Sequence, residues 1–172
     1  VAAARLEGLP VYHGSVLSDQ ADEELELPGI GKIFALTAND EVNALSARHF
    51  VHLFGRENLF QLSPARKPTE GSAELGSEFR TRVLFGAELT YDELQRRFEA
   101  GYEFRGTPLT KQFGLEKWRR AHGPDAIPIL TVDEGSDVTV ATRDKSLAPE
   151  PGDTLLALAP PEPVKVEARK EG

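Results

Sequence analysis

Asp40, Glu41 and Asn43 stand together in the stretch Thr37-Ala38-Asn39-Asp40-Glu41-Val42-Asn43, and His49 and His52 follow three residues apart. Two carboxylates and an amide at the carboxyl end of a strand could meet a ribose hydroxyl or a cation, because open α/β sheets receive ligands there. The acids have a second use. In the first turn of a helix they complement its dipole and need no ligand. That account does not extend to Asn43, which lies inside the first helical turns. The histidines share a helix face and could ligate one metal or respond to protons, since an unperturbed imidazole titrates near pH ~6.5. His13 and His122 are remote in sequence, so no third ligand is in view and no metal site is expected. Gly14-Ser15-Val16 lacks the surroundings of a nucleophile elbow, and Asp133-Glu134-Gly135-Ser136-Asp137 lacks a calcium-loop ladder. No catalytic residue is expected.

These residues need a strand and a helix to hold them. Residues 32–37 form an apolar run too short for a helix and suited to a strand covered on both faces. Asn39 or Asp40 offers an N-cap for a helix running to Phe54, with Val42 and Leu45 on one side and Ala47, Phe50, Val51 and Phe54 on another. Gly55 is its expected stop, and residues 58–62 read as the next strand. Strand, helix and strand with short joints imply a parallel pair joined by a right-handed crossover. That is half of an open α/β nucleotide-binding-type fold.

Upstream, residues 1–8 read as the end of a helix, 9–13 as a short strand and 20–25 as a short helix. Residues 63–77, rich in Pro, Gly and Ser, read as a linker. Beyond it, strands are expected at 81–85, 102–109, 127–132, 138–142 and 154–159, and a hairpin turn at 133–137. Helices are expected at 91–100, behind a capping box opened by Thr90, and at 110–122. The fold class is therefore α/β in two lobes. Residues 1–62 form an incomplete Rossmann-like lobe, 63–77 the linker, 78–162 a small α+β lobe and 163–172 a disordered tail.

Composition narrows the function classes. The chain has 172 residues, 40% hydrophobic and 28% charged, as in ordinary globular proteins. No apolar run approaches the roughly 20 residues of a membrane span, and residues 1–9 do not read as a signal peptide. With no cysteine, disulfides and thiolate catalysis are excluded. A net charge of −8 argues against nucleic acid as a partner. A start at Val1 and no methionine point to a processed chain or a piece of something longer.

The order of these pieces resembles the RCK or TrkA-type regulatory domains of potassium channels and transporters. The resemblance rests on a strand ending at Gly14, a short acidic helix, then Ile33-Phe34-Ala35-Leu36-Thr37 followed by Asn39-Asp40-Glu41-Val42-Asn43. Pro149-Glu150-Pro151-Gly152-Asp153-Thr154-Leu155 resembles the end of their small C-terminal, TrkA-C-like lobe. With Phe85-Gly86-Ala87-Glu88-Leu89-Thr90 and Ala126-Ile127-Pro128-Ile129, the chain is most similar to the cytosolic tail of a bacterial sodium:proton antiporter.

The resemblance implies a non-enzymatic domain at the cytoplasmic face of the bacterial inner membrane. It would be joined to an antiporter domain of the same polypeptide, be homodimeric, and bias transport in response to a nucleotide, ion or pH. It also implies Gly14, Ser15, Thr37, Asp40 and Asn43 as the nucleotide-facing set, with NAD(H) or an adenine nucleotide as the family ligand. The glycine-rich G-x-G-x-x-G turn of that family is absent here, as is the acidic end of its second strand, so no cofactor is expected on this chain. In the family strand order, 3-2-1-4-5-6, strands at 11–13 and 33–36 would be separated by two missing ones. A rearranged order or pairing with a second chain is then expected. A nucleotide-dependent oxidoreductase fragment and a ligand-free dimerisation module are the alternatives.

Overall fold

A run of three apolar residues can satisfy its backbone only by pairing, and Ile33–Ala35 does so. The computed structural model describes residues 4, 6–18, 29–65, 81–85 and 89–161. Expectations for a helix at 20–25, for most of the linker and for the tail lie outside the described residues. Strand β1 (Ile33–Ala35) is followed by helix α1 (Asp40–Phe54), a 3-10 turn (Arg56–Asn58), β2 (Leu59–Gln61) and β3 (Arg82–Val83). Helix α2 (Tyr91–Glu99), β4 (Glu103–Pro108), α3 (Leu115–His122), β5 (Ile127–Val132), β6 (Val138–Val140) and β7 (Thr154–Ala159) come after. The chain is thus α/β, divided into two compact units at Val83/Leu84.

In the first unit β1, β2 and β3 make a three-stranded parallel sheet in that order. The register sets Ile33 beside Leu59 and Phe34 beside Phe60, whose rings stack 5.2 Å apart. Leu59, Phe60 and Leu62 are buried, and the Arg82 guanidinium lies over the Phe60 ring. Helix α1 buries Asn43, Ser46, Ala47 and Phe50, the i, i+3, i+4, i+7 stripe of a helix laid on a sheet. Leu45 and Leu53 remain exposed. Gly55 ends the helix with φ +72° while its N–H still reaches the Val51 carbonyl, a conformation that needs glycine.

The expected strand at 9–13 does not form. Pro10 has no N–H, the Leu9 N–H is taken by the Ala4 carbonyl and Leu9 is largely exposed, so nothing there joins a ladder. With that strand absent from the sheet, the expected gap between it and β1 does not arise. The expected strand at 81–85 is shorter, Arg82–Val83, and pairs with β2 in the first unit. Leu84 instead bridges to Thr142 in the second, and Phe85 turns left-handed at φ +67°. The division between units accordingly falls at 83/84, after the stretch 63–77.

The second unit is a four-stranded antiparallel sheet in the order β4-β7-β5-β6. Strand β7 runs through its middle, with Leu155, Ala157, Leu158 and Ala159 fully buried. Pro128 sits in interior strand β5, where a register shift between Pro128 and Leu130 absorbs the missing N–H. Helix α3 starts at Leu115 rather than 110, because Thr110 and Phe113 bond each other backbone to backbone and Gly114 occupies the cap. It drives Trp118 into a core with Leu109, Ala126, Ala141, Leu147, Leu155 and Ala157. The Trp118 indole N–H donates to Thr107 Oγ1 (3.3 Å), and its ring stacks on His122. Helix α2 is capped by Thr90, whose hydroxyl accepts from the Glu93 N–H. Only half a capping box results, because the Glu93 carboxylate turns to Arg96 and Arg97 instead.

Trp118 is the one tryptophan of the chain and almost wholly buried. Trp118→Ala is expected to destabilise the second unit by about 3–5 kcal/mol. Trp118→Phe, which keeps the ring and loses the bond to Thr107, should cost about 1 kcal/mol. Urea unfolding followed by far-UV circular dichroism checks both, and equal losses from the two changes would contradict this packing.

Candidate functional site

The site is the turn that carries the chain from β1 into α1. Asn39 is extended and its Oδ1 accepts from the Glu41 N–H (3.0 Å) and the Val42 N–H (3.1 Å). It is the cap, and Asp40 is the first helical residue. Two of the orphan N–H groups of the helix start are therefore satisfied from within. The Asn43 N–H is taken by the Asn39 carbonyl.

Asn43 is 2% exposed, so its amide must find partners in the protein. It finds them all on Thr37. Asn43 Oδ1 accepts from the Thr37 N–H (3.1 Å) and from Thr37 Oγ1 (2.7 Å), and Asn43 Nδ2 donates to the Thr37 carbonyl (2.9 Å). Both lone pairs of the amide oxygen are thereby used. The Thr37 hydroxyl in turn accepts from the Asn39 N–H (3.2 Å). A side-chain amide here takes the place of a neighbouring strand for residue 37, six residues away. Asp40 closes the turn from the other side, its Oδ2 accepting from the Ala65 N–H (3.0 Å) just past β2.

Thr37, Asp40 and Asn43 are thus brought together, as the sequence implies, but as partners of one another and of the backbone. Gly14 and Ser15 belong to a separate turn. Ser15 accepts from the Ser18 N–H and hydroxyl, and Gly14 lies against Tyr12, whose hydroxyl would be 2.3 Å from any Cβ at that position. His49 is half-buried with its ring edge-on to Phe50 (4.8 Å), and His52 is exposed in the last turn of α1. Among the described residues no group of three or more His, Asp or Glu could hold a metal.

The Asn43–Thr37 clamp is invisible to sequence reading because its six-residue spacing joins a loop to a helix. Its signal is a polar residue on the α1 stripe that otherwise faces the sheet. Chemically, the edge of the first unit offers the Asp40 and Glu41 carboxylates outward, with its best acceptor already occupied. A phosphate is disfavoured there. A second hollow, of about 440 Å³, lies on the second unit beside Arg119, Arg120 and Gly123. It sits at the carboxyl end of α3, where the helix dipole opposes an anion, and Arg119 already faces Glu116 at 3.7 Å. Comparison of the sequence with protein-family models and with curated proteins gives no match.

Asn43→Ala leaves the Thr37 N–H and carbonyl unpartnered and is expected to destabilise the first unit by about 1–3 kcal/mol. Thr37→Val should cost less, and the two changes should be strongly non-additive in a double-mutant cycle of chemical unfolding. Additive losses would show that the two residues do not act together. In calorimetry NAD(H), ATP and AMP are expected to bind weakly or not at all. Submillimolar binding that Asn43→Ala abolishes would overturn that expectation.

Proposed function

We propose that this chain is a regulatory module of RCK/TrkA type that biases a monovalent cation:proton antiporter, sodium being the expected cation, from the cytoplasmic face of a bacterial inner membrane. The observation that carries the reading is the parallel β1–α1–β2 crossover bearing Thr37, Asp40 and Asn43, followed by a separate antiparallel unit whose Pro-Gly-Asp turn leads into β7. The neighbour order β1-β2-β3 is what the second half of a 3-2-1-4-5-6 sheet would have. Among the described residues no helix is long and apolar enough to cross a membrane, so the transport path would belong to another part of the polypeptide.

A module of this kind acts by differential affinity. It must prefer one transport state by a few kcal/mol, and a ligand or proton can shift the balance only as far as it binds the two states unequally. The crossover turn is held internally and is a poor phosphate site, so protons or cations fit the module better than nucleotides. His49 and His52 on α1 are its proton-responsive candidates.

Antiport measured against pH in everted membrane vesicles tests the reading. Removing this chain from the full transporter is expected to change the profile, and replacing both His49 and His52 with Gln to shift the pH at which antiport switches on. An unchanged profile after removal would sink the regulatory reading. An unchanged profile in the double variant would eliminate only the histidines.

A further inference from the structure

The two edges of the second-unit sheet are treated differently. On the β6 side the strand's continuation is paired, with the Phe85 N–H on the Ala141 carbonyl (2.7 Å) and Leu84 bridged to Thr142. On the β4 side no strand pairs among the described residues, and Glu103, Phe104, Gly106 and Pro108 are exposed. An open edge is a template for another strand unless its side chains forbid it. Here they invite it. Phe104 is 50% exposed and meets Phe98 of α2, itself 43% exposed, edge-on at 5.6 Å. Glu103 and Arg105 flank Phe104 on the opposite face of the strand, 4.0 Å apart.

We propose that β4 pairs antiparallel with β4 of a second copy of this chain, about a two-fold axis at Phe104, to join two four-stranded sheets into one. The register follows from charge. A two-fold axis perpendicular to the sheet keeps each face on its own side, so only residues an even number apart in sequence can oppose each other. Centring the pair on Glu103 or on Arg105 sets a like charge against itself. Centring it on Phe104 sets Glu103 of each copy opposite Arg105 of the other and Phe104 opposite Phe104. Opposite charges and aromatic pairs are the favourable cross-strand neighbours. The same register brings Tyr102, over which the Arg97 guanidinium lies, opposite Gly106. A second copy is therefore the occupant this edge is built for. The proposal stands independently of any role in transport.

Sedimentation of the full chain from micromolar to millimolar concentration tests it. The wild-type chain is expected to form dimers. Glu103→Arg and Arg105→Glu, each folded by circular dichroism, are each expected to weaken the dimer by about tenfold or more, since like charges then face each other twice. Mixed together, the two variants are complementary again and are expected to pair. Should either single variant not fold, the double variant Glu103→Arg/Arg105→Glu carries the test, because the swapped charges restore both pairs. A wild-type chain that is monomeric throughout overturns the proposal, as does a dimer indifferent to both single changes. So does a failure of folded, complementary variants to associate.

Discussion

A buried primary amide in a protein interior has no water to turn to, and wherever the chain places one, the backbone nearby must be shaped to receive it. Asn43 imposes that requirement on the first unit. Its amide fixes the position of Thr37, Thr37 holds the Asn39 N–H, and Asn39 caps α1. The direction in which the helix leaves the sheet is thereby tied to where β1 ends. Burial of Ala47 and Phe50 lower on the same stripe supplies the apolar part of the contact, and the amide supplies its direction. Removing the outward reach of Asn43 in this way leaves Asp40 and Glu41 as the charged groups at the crossover.

The second unit is governed by apolar burial around one strand. β7 has neighbours on both sides and buried residues along most of its length, and α3 closes one face through Trp118. Phe104, opposite in parity to the Thr107 that receives the indole, meets α2 on the other face. The two units therefore obtain their order by different means, a polar clamp in one and a central apolar strand in the other.

Much of this was legible in the residues. The α1 boundaries follow from Asn39 and Gly55, the β5–β6 hairpin from 133–137, and β7 from its apolar run behind a Pro-Gly-Asp turn. What could not be read depends on partners distant in sequence. Residues 9–13 have the composition of a strand and no ladder to join, and β3 belongs to the sheet upstream of it because Arg82 and Val83 sit beside Phe60 and Gln61. Helix α3 loses its expected first turn to a local bond between Thr110 and Phe113. At the site, the grouping of Thr37, Asp40 and Asn43 was legible. Their mutual saturation was not, because hydrogen-bond geometry leaves no periodic trace.

Pro128 has a consequence for how the sheet finds its alignment. A proline inside a strand with neighbours on both sides is acceptable at one place only, where the ladder is already interrupted. Sliding β5 by two residues against β7 would keep every apolar side chain on its proper face, so burial alone does not forbid the error. The slide would carry the ring nitrogen of Pro128 into a position where β7 or β6 needs a donor. One imino acid thus acts as the key that rejects in-phase misalignments, the class of error to which hydrophobic patterning is blind.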